Sequence, residues 1–172
     1  MKKLILSFLL VSSVAQLLAQ EKVQWISFEE AVQLNKKQPK PMLIDVYTNW
    51  CGWCKKMDKE TYANTKVADY INKNFYAVKL DGEGEKPITY NNRTYTFKQE
   101  KNGKYHELAA VLLNGKLAYP STLILNEKME LLDRIQGYIK TKQMEKVLTF
   151  FGNGSYKTEK WEVFEKKFKS NL

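Results

Sequence analysis

The sequence predicts an α/β domain, one central mixed sheet with helices on both faces. Three observations predict it. Met42 to Tyr47 and Phe75 to Leu80 are short and nearly continuous in apolar residues, as strands buried on both faces should be. Helical patterns precede, separate and follow them. Near the end, Thr122-Leu123-Ile124-Leu125 and the run Met129 to Ile135 flank the turn Asn126-Glu127-Lys128, a hairpin that supplies the antiparallel part.

Taken in order, residues 1–19 have the form of a secretory leader. Lys2-Lys3 are followed by a mostly apolar stretch from Leu4 to Leu18 and by Ala19 at the expected cleavage point. That stretch is shorter than the about 20 residues needed to span a bilayer. Residues 20–172 then form a single domain. Gln24-Trp25-Ile26 is a short first strand. Ser27-Phe28-Glu29-Glu30 has the form of a capping box, and the helix it opens runs to about Lys37, with Phe28, Ala31, Val32 and Leu34 as its apolar face. Pro39 and Pro41 end it. Asp45 interrupts the strand Met42–Tyr47, where a carboxylate is costly unless paired or functional.

Helices follow from Cys51 to about Thr61 and from Val67 to about Asn74. Lys79 then stands near the end of the strand Phe75 to Leu80. Residues 82–106 read as an insertion. It holds a polar loop, a small hairpin of Ile88-Thr89-Tyr90 and Thr94-Tyr95-Thr96-Phe97 around Asn91-Asn92, and a second polar loop from Lys98 to Gly103. Glu107 to Leu113 is a short helix stopped by Asn114-Gly115. Thr141 is expected to cap a helix that runs to Phe151, with Met144, Val147, Leu148 and Phe151 on one face. A last helix, about Glu159 to Lys169, carries Trp161, Phe164 and Phe168 in a C-terminal extension of about 155–169.

Composition narrows the function. With 44% hydrophobic and 13% aromatic residues, the 172-residue chain can build a core and is not disordered. Its net charge is +9, of which Lys2 and Lys3 supply two. The lysines are spread along the chain rather than gathered in a basic block, so no nucleic-acid partner is expected.

Only two cysteines exist, Cys51 and Cys54. A leader would deliver them to a compartment where disulfides persist. Closing so short a loop adds little stability, so the pair reads as functional rather than structural. Zinc needs about four ligands. The chain offers two cysteines and the single His106, read as an exposed loop histidine, so no metal is expected. The reacting species in disulfide exchange is the thiolate. Cys51 sits where a helix begins, and the unpaired N–H groups and dipole there favour its anion. Cys54, one turn on, is placed to resolve a mixed disulfide, and Gly52 permits the tight loop.

Across Trp50-Cys51-Gly52-Trp53-Cys54-Lys55-Lys56-Met57 the chain resembles the thioredoxin superfamily, and within it the exported bacterial thioredoxin-like proteins with a C-G-W-C active site. The resemblance extends over about 25–151. It implies a thioredoxin-like fold with an inserted segment before a cis-Pro loop and an extra C-terminal helix. It also implies roles. Cys51 attacks and Cys54 resolves. Asp45, its pKa raised by burial, moves the proton, and Lys79 partners it. Pro120, in Tyr119-Pro120-Ser121-Thr122, is the cis-proline that lies against the pair, and the Tyr119 backbone is free to pair with a substrate strand. Gly137 lies beside the substrate groove, and Trp50 and Trp53 flank the cysteines. Trp53 stands where many thioredoxins have proline, a departure that bears on redox poise.

The function implied is an exported thiol–disulfide oxidoreductase, periplasmic or secreted, acting as a monomer on protein or peptide thiols and disulfides. No histidine lies between the cysteines, which favours a reductant. A reductant needs a membrane or exported electron-relay partner. No cofactor is expected beyond the redox-active Cys51–Cys54 disulfide. A disulfide oxidase or isomerase with the same site stays open, as does a non-catalytic thioredoxin-like protein-binding module.

Overall fold

A computed structural model describes residues 22–101 and 103–170, so the expected leader, 1–19, lies outside the described residues. The chain runs β1 (Trp25–Ile26), α1 (Phe28–Lys37), β2 (Met42–Tyr47), α2 (Gly52–Met57), α3 (Thr65–Asn74) and β3 (Tyr76–Asp81). Four short strands follow: β4 (Ile88–Tyr90), β5 (Arg93–Tyr95), β6 (Phe97–Glu100) and β7 (Gly103–His106). Then come α4 (Glu107–Leu112), β8 (Ser121–Leu125), β9 (Leu131–Gln136), α5 (Thr141–Gly152) and α6 (Trp161–Lys167). A π-helical turn, Asp58–Tyr62, continues α2.

The main sheet has the order β1-β3-β2-β8-β9. β3 is parallel to β1 and β2, whereas β8 is antiparallel to β2 and β9. Side chains alternate across it, and that alternation sorts the core into two layers. Met42, Ile44, Val46, Val78, Leu80, Leu123 and Leu125 pack with α1, α4 and the β4–β5 hairpin. Leu43, Ala77 and Ile124 face the other way, into the layer of α3, α5 and α6. Asp45, Lys79 and Thr122 fall in phase with this second set. Strand register makes Asp45 the direct neighbour of both Lys79 and Thr122.

Local chemistry explains most boundaries. Ser27 Oγ accepts the Glu30 N–H, which starts α1. The buried stripe of α1 is Phe28, Ala31 and Asn35, and Leu34 is exposed instead. Leu34 lies off the 28–31–35 line by about one 100° helical step. Asn35 can be buried because its Nδ2 donates to the Lys40 carbonyl at 2.7 Å. Asn91 and Asn92 both adopt positive φ and close the β4–β5 hairpin. Asn114 and Gly115, also at positive φ, end α4.

Four expectations need correction. The segment after Phe97 is a second hairpin, β6–β7, rather than a polar loop. Thr141 does not cap α5. The cap is Lys140, and Thr141 Oγ1 donates to the Glu60 carbonyl at 2.8 Å, tying α5 to the π turn. Met129 has φ +66°, so it belongs to the turn and β9 starts at Leu131. The last helix is the shorter Trp161–Lys167, with Phe164 buried against Phe150 at 5.1 Å between ring centres.

Candidate functional site

Cys51 and Cys54 are joined by a disulfide at the start of α2. Cys51 is the N-cap residue, and its Sγ accepts the Cys54 N–H at 3.1 Å. A helix start leaves backbone N–H groups without intrahelical partners, and here one of them points at the sulfur. Both cysteines are nearly covered, Cys51 at 4% exposure and Cys54 at 2%. The two tryptophans beside them are open, Trp50 at 66% and Trp53 at 58%.

The strand that leads into the pair, β2, carries a buried charged group that the sheet positions. Asp45 is buried at 1% exposure. Its Oδ2 accepts from Lys79 Nζ at 2.5 Å, and the same ammonium donates to Asp58 Oδ1 at 2.5 Å. Among the described residues, Asp45 Oδ1 is buried without a hydrogen-bond partner. Burial pushes the Asp45 carboxyl up to about 6, against the pull of Lys79. Burial also works against the Lys79 charge, but Asp45 and Asp58 outweigh it and hold the ammonium above its ordinary value. The rings of Trp25, Tyr47 and Tyr62 surround Lys79 at 4.9 to 5.6 Å, a cation–π cage. A carboxyl that titrates near neutrality suits proton exchange with a thiol.

Asp58 was not singled out from the sequence. It follows Cys54 by four residues, so on a helix it shares that cysteine's inward face. Spacing was the available signal. Asp58 also lies in the π turn, half-exposed, and lines a cavity together with Trp25, Tyr62 and Lys79. It therefore links the buried Asp45–Lys79 pair to the surface.

The loop before β8 reaches the residue before Cys51 through Tyr119 and Trp50. The Tyr119-Pro120 bond is cis, and Pro120 is buried. Gly137 has φ +91°, and its N–H donates to the Pro120 carbonyl at 2.8 Å. That conformation favours glycine and holds the start of the Tyr138 loop beside the cis-Pro loop. Tyr119 meets Trp50 edge-on at 6.1 Å, and Tyr138 meets Trp53 at 5.7 Å. Thus the structure brings together Trp50 with Tyr119, Trp53 with Tyr138, Pro120 with Gly137, and Asp45 with Lys79.

His106 is the main revision. It is 1% exposed, not an exposed loop residue. It is the N-cap of α4: Nδ1 accepts the Leu108 N–H at 3.2 Å, and Nε2 lies 3.2 Å from the Lys86 carbonyl. A ring that accepts at Nδ1 is neutral and donates from Nε2. Burial lowers its pKa accordingly. Among the described residues no group of three or more His, Cys, Asp or Glu could hold a metal ion.

Residues 9–151 match the family model Thioredox_DsbH, described as a protein of unknown function, DUF255. Spermatogenesis-associated protein 20 of Rattus norvegicus is 34% identical over 70 residues, which is 40% of this chain and 9% of that protein. The chain spans only about a tenth of the first curated relatives it matches. Among solved structures, a thioredoxin-fold protein from Helicobacter pylori aligns with TM-score 0.57 and 22% identity, over 75% of this chain and 80% of that one. A candidate disulphide-isomerase from Bacteroides thetaiotaomicron aligns with TM-score 0.54 and 24% identity, over 81% of this chain and 98% of that one. These likenesses show a thioredoxin-like fold.

Proposed function

The chain belongs to the thioredoxin-like family of the Thioredox_DsbH model, and from that premise we propose that it is a thiol–disulfide oxidoreductase acting on protein or peptide disulfides. The observation that carries this reading is the Cys51–Cys54 disulfide at a helix start, in the same site as a buried carboxyl whose pKa lies at about 6.

In the reducing direction, the Cys51 thiolate attacks one sulfur of a substrate disulfide. The substrate S–S bond breaks, one substrate thiolate leaves, and a mixed disulfide joins Cys51 to the other sulfur. Cys54 then gives its proton to Asp45 and attacks Cys51 Sγ. This expels the second substrate thiolate and leaves the protein oxidised. Asp45 then gives up that proton to a departing substrate thiolate, and Lys79, shared with Asp58, balances the carboxylate that remains. Pro120 and the Tyr119 backbone dock the substrate strand, Gly137 keeps the groove open, and Trp50 and Trp53 supply apolar contact on either side. The intervening residues, Gly52 and Trp53, provide no histidine to hold the Cys51 anion strongly, which supports a reductant over an oxidase or isomerase. A reductant implies an electron-relay partner carrying thiols. Lys2-Lys3 and the apolar run to Leu18 support export by a signal peptide, to the periplasm or beyond, and on this reading the protein acts as a monomer. The redox-active disulfide is the only cofactor this chemistry requires.

Two measurements test the reading. Turnover of a model protein disulfide should fall about 1,000-fold or more in Cys51→Ser, in line with loss of a nucleophile. Undiminished activity would leave a non-catalytic binding module instead. The equilibrium potential of the pair tests direction: a value near about −270 mV fits a reductant, and one near about −120 mV fits an oxidase.

A further inference from the structure

Residues 82–106 do more than decorate an edge. The hairpin β6–β7 and the Trp50–Tyr119 pair line an open cleft of about 340 Å³ that reaches Trp50, the residue before Cys51. Its walls include Trp50, Tyr105 and Tyr119, with the carboxylates of Glu83 and Glu100 and the ammonium of Lys104.

The parts are linked. The N–H of His106, the last residue of β7, donates to the Gly82 carbonyl at 2.7 Å. The Tyr119 ring lies so close over Gly82 that a Cβ there would come within 2.5 Å of it. Tyr119 in turn meets Trp50. Tyr105 Oη donates to Glu100 Oε1 at 2.6 Å and fixes that carboxylate. So the inserted hairpin, the cis-Pro loop and the residue before Cys51 form one wall.

We propose that this cleft receives a lysine or arginine side chain from the substrate polypeptide, within about three residues of the cysteine under attack. The inference rests on the oxidoreductase reading and names its substrate class. Aromatic faces bind a guanidinium or ammonium by cation–π contact, and a planar guanidinium stacks on them. Glu83 and Glu100 supply the countercharge, opposed in the lining by Lys104 alone. Burial first, and then the charges of Glu83 and Asp81, push the Tyr119 phenol up to about 12, so that ring stays neutral and keeps its aromatic face for a cation. The chain as a whole is at +9, so its composition alone does not produce this carboxylate excess. Reach is satisfied too: an extended strand advances about 3.3 Å per residue, and the cleft begins at Trp50, next to Cys51.

The experiment uses the reduced full-length protein and two disulfide-bridged peptides that differ only in Arg or Glu two residues from one cysteine. The wild type should favour the Arg peptide about 5- to 10-fold in kcat/KM, as two partly exposed charge contacts allow. In Glu83→Gln/Glu100→Gln the ratio should fall below about 2-fold, and in Lys104→Gln it should widen. Equal rates in the wild type, or a ratio unchanged in the double variant, would overturn the proposal. Wild-type turnover of a small uncharged disulfide reports the thiol chemistry separately. Affinities for the same peptides with serine in place of cysteine test the cleft even if that chemistry fails, and equal affinities there also overturn it.

Discussion

The two flanks of the disulfide are built alike and finished differently. On each side an exposed tryptophan leans on a tyrosine from the opposite loops, Trp50 on Tyr119 and Trp53 on Tyr138. On the Trp53 side the chain satisfies itself. Lys56 Nζ sits over both rings, at 5.1 and 5.4 Å, and Tyr138 Oη donates to Glu60 at 2.6 Å. On the Trp50 side no such cation from the described residues covers the rings. An open cleft takes that place, walled by the inserted hairpin and richer in carboxylates. One flank already holds its own cation, and the other presents the same kind of surface to a cation from outside.

Removing what both flanks serve gives the largest effect. Asp45→Asn should slow turnover at pH 7 about 10- to 100-fold, because Cys54 loses its proton acceptor. The same change should stabilise the fold at neutral pH. The folded-state pKa of Asp45, about 6, lies above the unfolded value of 3.8. Folding therefore favours the protonated form, and that contribution is full below pH 4 and lost as pH rises through 6. Urea unfolding should find Asp45→Asn more stable than wild type by about 2–3 kcal/mol at pH 8, with the gap closing towards pH 4.

Next in size are the tryptophans. Trp50→Ala should raise KM for a polypeptide substrate about 5-fold, and Trp53→Ala less, since Trp53 is engaged by its own chain. Equal effects would erase the contrast between the flanks. Asp58→Asn should move the acid limb of the pH–rate profile to lower pH, because the Asp58 charge raises the Asp45 pKa and shares its ammonium. An unmoved limb would mean that Asp58 is only structural. The smallest effect is Lys56→Gln, which should cost about 0.5–1 kcal/mol of stability from the Trp53 stack, read by urea unfolding.

Much of this was legible in the residues. Apolar runs interrupted once, at Asp45, mark a buried strand with a purpose, and the cis-Pro loop and the cysteines were placed by the resemblance they carry. What was hidden depends on packing. Phe97 and Tyr105 are the main apolar residues of β6 and β7, so that ribbon lacks the alternation that betrays a strand. His106 reads as solvent-facing because it lies in the 82–106 insertion, yet it caps α4 from a buried position. Asp58 gains meaning only when β3 brings Lys79 over it. Lys140 caps α5 with no side-chain hydrogen bond, which no cap preference could reveal.

The most direct test of Cys51 as the attacking thiol is covalent trapping. Reduced Cys54→Ser is mixed with a disulfide-bridged peptide, and the products are weighed by mass spectrometry. The expected result is a one-to-one mixed disulfide on Cys51, persistent because the introduced hydroxyl would not resolve it, and none in Cys51→Ser. An equal adduct on Cys54 in the Cys51→Ser protein, or no adduct in either, would contradict the assignment of Cys51 as nucleophile and Cys54 as resolving thiol.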